Sequence, residues 1–320
     1  MTDRVETRSE HQPYRARILR RAAWVVAGCS FIAAMACYMS YRVDRATLHA
    51  VAENIIAGTS APDERVLHML HFVHRIQGTR KNPGAFLLPK LGATPRDVLE
   101  HGGDCADRSR LLCALLREVH ISATPAMCFD AHTGLPNHTV VEAQLAAGVY
   151  MIVDPTYDLY FPAPDRQGYY DLLDLRRDPT IVARRVEELC KTNPPAQETD
   201  RYYLSAFTGY SQPSTYNWNR NVLLRFVRAS LSTWFGDAVY RLPRLVIFEE
   251  PKLFVGGLSL LPGVIVLLAL IRPGLGRRRA GVGSCQDYRT PARLALRTSR
   301  AADRDSSVEA SCSEVAARGS

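Results

Sequence analysis

Three residues of this chain have the types and the surroundings for nucleophilic acyl chemistry. Cys105 follows Gly102, Gly103 and Asp104, and leads into Leu111, Leu112, Leu115, Leu116 and Val119, which fall on one helical face. Asp104 is a good N-cap, so Cys105 is expected in the first turn of a helix buried along that face. Free backbone N–H groups and the positive end of the helix dipole favour a thiolate there. The two glycines permit a sharp approach and let a substrate backbone come close. A thiol nucleophile needs a base, and the base needs an orienting partner. His138 begins one stretch of strand character and Asp154 ends the next, with Ala146, Ala147 and Gly148 between them as a tight turn. Positions 138 and 154 are symmetric about residue 146, inside that turn. The hairpin therefore predicts His138 and Asp154 as near-direct cross-strand neighbours, with β-carbons about 5 Å apart. A one-residue slip would turn them to opposite faces of the sheet.

These side chains need one buried helix set against an antiparallel hairpin. The polar residues 1–21 are predicted to be disordered. Residues 42–58 read as a helical lead-in. Ser60, Pro62 and Asp63 then start a helix carrying Val66, Leu67, Leu70, Val73 and Ile76 at helical spacing. Residues 81–94 read as loop, and 104–119 as the Cys helix. Strands are predicted over 124–129, 138–145 and 150–154. Residues 179–190 and 221–235 read as helices. The second of these carries Val222, Leu223, Phe226, Val227 and Leu231, and is expected to pack on the domain rather than lie along a membrane. Residues 194–218 are rich in turn formers, and 272–320 read as a disordered tail.

The ordered parts Gly103-Asp104-Cys105-Ala106-Asp107 through Leu115-Leu116-Arg117, then Asn137-His138-Thr139, then Val153-Asp154-Pro155-Thr156-Tyr157 carry a family resemblance. Over about residues 60–165 the chain resembles the transglutaminase-like superfamily of papain-fold cysteine enzymes. The resemblance implies an α+β fold with the Cys helix packed on an antiparallel sheet. It implies acyl transfer through a thioester by Cys105, His138 and Asp154, a peptide or protein substrate, and no cofactor. Hydrolysis of a peptide or amide bond is the expected outcome. Transfer to an amine, as in protein cross-linking, is the alternative, and a non-enzymatic scaffold retaining the fold is the second alternative. The chain departs from the family at His120, where Gly is frequent, and at Val140 and Tyr150, where Trp is common. The backbone N–H of Cys105 is expected as one oxyanion donor, with Gln77 as a candidate side-chain donor.

Other groups point to less. His68, His71 and His74 drift around their helix and lack the i, i+4 pairing of a helical zinc site, so no metal is expected. None of the eight cysteines shows C-x-x-C spacing. An oxidising compartment would permit a disulfide among Cys113, Cys128 and Cys190, although Cys113 reads as a small buried residue of an apolar helix. Glu142 shares the strand face of His138, as a structural or a substrate-facing group.

Charge places the domain. The net charge is +8, yet residues 42–252 hold 24 basic and 24 acidic side chains, so the whole excess lies in the two tails. A nucleic-acid surface on the folded part has no support from this distribution. Residues 22–41 and 253–271 are apolar and uncharged, each long enough to cross a hydrocarbon core of about 30 Å. Arg15, Arg17, Arg20 and Arg21 precede the first stretch, and Arg272, Arg277, Arg278 and Arg279 follow the second. The preference of Lys and Arg for the cytoplasmic side predicts two membrane spans with both termini cytoplasmic. Residues 42–252 then form a periplasmic or extracellular domain with its core at about 60–165.

Overall fold

The computed structural model describes residues 11–130, 133–164, 168–192 and 210–279. The chain divides after Arg272 into two compact units, and the fold that carries the candidate chemistry belongs to the first. Most of the predicted disorder, 1–10 and 280–320, falls outside the described residues, as do Cys285 and Cys312.

The architecture is α+β, with one antiparallel sheet of five strands in the order β4-β3-β2-β1-β5. The strands are β1 (Ser122–Asp130), β2 (Pro136–Ala146), β3 (Val149–Asp154), β4 (Leu159–Tyr160) and β5 (Tyr210–Ser214). Alternation along β2 and β3 divides their side chains between two cores. Val141, Ala143, Met151 and Val153 face one core, with α1 (His11–Ile55), α2 (Pro62–Arg75), α3 (Pro95–His101) and α4 (Cys105–Glu118). Val140 and Ile152 face the other, with Phe161, α5 (Leu172–Arg177) and α6 (Thr180–Thr192). Cys113 belongs to the first core and Cys128 to the second, on opposite faces of the sheet, which excludes a disulfide between them. The described cysteines, Cys190 included, are free thiols.

Helix α1 begins at His11, eleven residues before the predicted span, and runs without a break through the predicted lead-in. Its last turns join the domain, where Leu48, Ala52 and Ile56 are buried with Leu112 and Leu115 of α4. Asp44 forms an ion pair with Lys252 at the base of α8 (Pro251–Arg279). Helices α1 and α8 are long and apolar enough, over Arg17–Ile55 and Pro251–Ile271, to cross a membrane. They pack through small residues: a β-carbon on Gly256 would meet Cys37, and one on Gly263 would meet Ser30. The later glycine meets the earlier residue, so the two helices run antiparallel. Their apolar side chains otherwise point outward, as at Ile32, Met35, Ile265 and Leu268.

Two local readings differ from the sequence, and a third is met only in part. Helix α3 forms inside a stretch with no predicted element, nucleated by Pro95 at its first position and a capping box between Thr94 and Asp97. Strand β5 forms within the turn-rich stretch; Pro213 is tolerated because β5 is an edge strand. The helix α7 (Val222–Phe235) has no fully buried residue and packs on the domain only through a half-buried stripe.

Candidate active site

The site is built at the start of α4. Asp104 caps the helix, its Oδ1 accepting from the N–H of Ala106 and of Asp107 at 3.0 Å each. Cys105 is thereby the first residue of the helix and half-buried. Gly102 has φ 72°, and a β-carbon there would stand 1.8 Å from the carbonyl oxygen of Gln77. The close approach of the Gln77 segment therefore requires glycine on both counts. Gly103 is confined as well: its β-carbon would lie 2.4 Å from that of Asp107.

Arg108 locks this corner and was not singled out from the sequence. It is 3 % exposed, and its five N–H donors reach five backbone carbonyls. Nε donates to Gly103 at 3.1 Å, Nη1 to Val73 and His74 at 3.0 and 2.8 Å, and Nη2 to Ile76 and Gly78 at 2.7 and 2.8 Å. One side chain thus satisfies the orphan carbonyls ending α2 and ties them to the loop before Cys105. Burial lowers the Arg108 pKa, against the raising influence of the Asp154 charge. Gln77 lies between two residues held this way, and its side chain is exposed. Asn82 closes the loop from the other side. Its amide donates to the Gly102 carbonyl at 2.6 Å, and its backbone N–H donates to Asp107 at 3.0 Å.

His138 reaches the site from the start of β2. Its Nε2 lies 2.8 Å from Oδ2 of Asp154, and the imidazole is also hydrogen-bonded to the Cys105 side chain, for which Nδ1 remains. The structure thus brings Cys105, His138 and Asp154 together in that order. It corrects the register. Val141 pairs with Val153 and Glu142 with Ile152, which sets Val140, not His138, opposite Asp154. The turn is centred one residue later than predicted, with Gly148 at φ 75° and an irregularity between Gln144 and Ala146. A two-residue displacement preserves the face, so His138 and Asp154 meet as diagonal neighbours.

Asp154 is 1 % exposed. Its second oxygen, Oδ1, accepts from the N–H of Thr156 at 2.8 Å and of Tyr157 at 3.4 Å. Pro155 has no N–H, so the turn delivers the next two donors to the carboxylate. Burial, the largest influence on His138, lowers its pKa. The Asp154 charge and hydrogen bond, with the contact to Cys105, override it and raise the pKa to about 9. At neutral pH the ring is an imidazolium beside the sulfur. Tyr157 packs against it, with ring centroids 5.7 Å apart.

The histidines of α2 serve the same corner separately. His71 Nδ1 lies 2.6 Å from Asp158, His74 Nδ1 3.1 Å from the Thr156 carbonyl, and His68 Nδ1 3.2 Å from the Thr59 hydroxyl. Two of the three therefore tie α2 to the turn that carries Asp154. Among the described residues no group of three or more His, Cys, Asp or Glu side chains has a metal-binding arrangement. Glu142 lies on the strand face of His138 but farther along β2, where it is held by Arg241 at 2.9 and 3.0 Å and by the Leu172 N–H at 2.9 Å. His120, at the departure noted above, has φ 62°, the left-handed conformation a glycine would adopt freely.

Comparison with protein-family models, curated proteins and solved structures finds no match for this chain.

Proposed function

We propose that this protein is a thiol-dependent acyl-transfer enzyme of the transglutaminase-like, papain-fold kind, cleaving a peptide or amide bond. The observation that carries the reading is the His138 imidazole held between the Cys105 side chain and the Asp154 carboxylate, 2.8 Å from the latter. In this reading the Cys105 thiolate attacks the scissile carbonyl carbon and forms a C–S bond. The imidazolium gives its proton to the leaving amine as the C–N bond breaks, leaving a thioester. Water then attacks the thioester, the neutral imidazole takes one of its protons, and the C–S bond breaks to release the acid and restore the thiolate beside the imidazolium. The Asp154 carboxylate keeps the ring oriented and favours its charged form.

Two donors serve the oxyanion. One is the Cys105 N–H, which the Asp104 cap does not engage. The other is Gln77, whose neighbouring carbonyls Arg108 holds in place. Removing such a side-chain donor costs about 10²–10³ in rate.

Helices α1 and α8 anchor the domain as membrane spans. Antiparallel packing at Gly256 and Gly263, with arginines at both outer ends, supports a cytoplasmic position for both tails. A reporter fused after Ser320 should then score cytoplasmic, and one inserted at Asp165 external.

The test of the chemistry uses the full chain in detergent. A brief iodoacetamide pulse should label Cys105 ahead of Cys113, Cys128 and Cys190, and His138→Ala should slow that labelling. An activated nitrophenyl ester should release a burst of nitrophenolate from the native protein and none from Cys105→Ala. Gln77→Ala should slow the ester reaction and leave alkylation, which forms no oxyanion, unchanged. Equal labelling of the four thiols, with no burst, would remove the proposal. Amine adducts among the products would change the acceptor from water to amine.

A further inference from the structure

A second site lies at the edge of the sheet, between β5 and α7. It encloses about 150 Å³ and is lined by residues that include Asp130, Arg176, Ser214, Trp218, Arg228 and Tyr240. A water molecule takes up about 30 Å³ of liquid, so the space admits a small polar group with its neighbours.

Two buried donors near the lining stand without partners. Ser214 is 2 % exposed and Trp218 6 %, and neither the Ser214 hydroxyl nor the Trp218 Nε1 has a hydrogen-bond partner. An indole N–H can only donate, so its missing partner is an acceptor. Two cations share the wall. Arg176 is fixed by its bond to the Pro213 carbonyl at 3.1 Å and by the Tyr240 ring 3.4 Å from its guanidinium carbon. Arg228 approaches from α7, reaching Asn219 at 3.4 Å. Among the described lining residues Asp130 is the carboxylate, and its Oδ1 accepts from the Thr133 N–H at 2.7 Å and its hydroxyl at 2.9 Å. Buried donors without acceptors beside two guanidiniums describe an anion site.

Helix α7 indicates the source of the anion. Leu224, Val227, Arg228 and Leu231 form its half-buried stripe. Its other face presents apolar side chains outward: Val222 and Leu223 at 71 and 69 % exposure, Phe226 at 69 % and Trp234 at 85 %. Arg220, Arg225 and Arg228 are present, and no Asp or Glu occurs between Ser214 and Gly236. The exposed Leu245 and Phe248 continue this apolar surface along the chain to α8. A basic helix with an outward apolar face, next in sequence to a membrane span, suits a bilayer interface with anionic headgroups.

We propose that this pocket binds the phosphate of an anionic phospholipid, while the outer face of α7 lies in the headgroup and acyl boundary. The proposal rests on the reading of α1 and α8 as membrane spans. Arg176, Arg228, Ser214 and Trp218 grip the phosphate, and Val222, Phe226 and Trp234 enter the lipid. The pocket and the anchor together fix the domain relative to the bilayer.

The experiment uses the full chain in vesicles and single-tryptophan variants. Vesicles are phosphatidylcholine, alone or mixed with phosphatidylglycerol, with doxyl quenchers placed shallow or deep. A protein retaining only Trp234 should be quenched about twofold more by the shallow label, since such helices sit about 5–10 Å into the boundary. A protein retaining only Trp24 should also be quenched, more by the shallow label than by the deep one, because that residue lies inside the span near its arginine-flanked end. A protein retaining only Trp218 should change its emission when phosphatidylglycerol is present, and Arg176→Gln with Arg228→Gln should abolish that change. Phe226→Ser, on the exposed face, should weaken the Trp234 quenching without loss of fold. Quenching of Trp24 with none of Trp234 overturns the proposal and leaves the anchor intact. Absence of both overturns the two together. A Trp218 response to inorganic phosphate in neutral vesicles, equal to that with phosphatidylglycerol, assigns the pocket to a soluble anion and overturns the lipid proposal.

Discussion

Arg108 and Gly103 are joined by a 3.1 Å hydrogen bond from the guanidinium Nε to the carbonyl, inside the turn of helix that begins with Cys105. The remaining donors hold the end of α2, so a single guanidinium fixes the position of Gln77 relative to Cys105. Arg108→Met should leave these carbonyls without donors, at about 1–3 kcal/mol for each one that water does not reach. A total loss of about 4 kcal/mol or more is expected, read as a lower chemical-denaturation midpoint. Arg108→Lys should fall between Met and the native residue, because an ammonium has three donors for five carbonyls. Equal stability of the Met and native proteins would mean that water replaces the guanidinium in full.

Gly102 and Gly148 both have a positive φ, 72° and 75°, and very different surroundings. A β-carbon on Gly148 meets nothing within 4 Å, whereas one on Gly102 would overlap the Gln77 carbonyl. Gly148→Ala should therefore cost only the left-handed strain, about 1 kcal/mol. Gly102→Ala should cost clearly more, and should also slow alkylation of Cys105 by displacing the loop before it. Matching denaturation midpoints for the two variants would contradict the close packing of Gln77 on Gly102.

The geometry of the corner was legible in the sequence because it is local. A cap, a cysteine and an apolar helical face are read over fifteen residues, and the hairpin over twenty. The register was not legible to better than two residues. Sequence places the turn among Ala146, Ala147 and Gly148 without choosing its centre, and the irregularity between Gln144 and Ala146 moves it. His138 and Asp154 still meet because an even displacement keeps both side chains on one face. Arg108 and Asn82 were missed for a different reason. Their partners are backbone carbonyls and N–H groups, which every residue carries, so no residue-type pattern marks them. The apolar face of α7 was legible as a pattern; that it points outward follows only from the tertiary arrangement.

The His138 pKa gives a signed pH dependence. In the folded protein it is about 9, above the ordinary 6.5. Stabilisation from the charged ring is complete below about 6.5 and is lost as pH rises through about 9. Asp154→Asn removes the charge that offsets burial, so the ring should titrate at lower pH. The stability difference between native and variant proteins should then be largest below about pH 6.5 and shrink as pH rises through about 9. In the enzymatic reading, the alkaline limb of the ester reaction lies near pH 9 and moves down in the variant. An imidazole titration followed by NMR checks the midpoint directly; an unshifted value in Asp154→Asn would mean that the carboxylate does not govern the ring.

The packing of α1 on α8 can be tested by a cross-link that uses a native thiol. A β-carbon on Gly256 would lie 3.2 Å from that of Cys37, just short of the range of about 3.5–4.5 Å found in disulfides. A shift of a few tenths of an ångström brings the pair into that range. Gly256→Cys, in a Cys29→Ser background, should form a disulfide with Cys37 under mild oxidation. Fragments from a proteolytic cut in the domain should stay joined until reductant is added. The adjacent Gly257 faces Ile247 instead, so Gly257→Cys should not cross-link. This pair discriminates orientation as well as proximity, because a parallel arrangement would bring the domain-proximal start of α8 to the N-terminal part of α1, remote from Cys37. Cross-linking at 256 but not at 257 fixes the antiparallel pair. Cross-linking at 257 alone would rotate α8 about its axis and turn Gly256 away from α1.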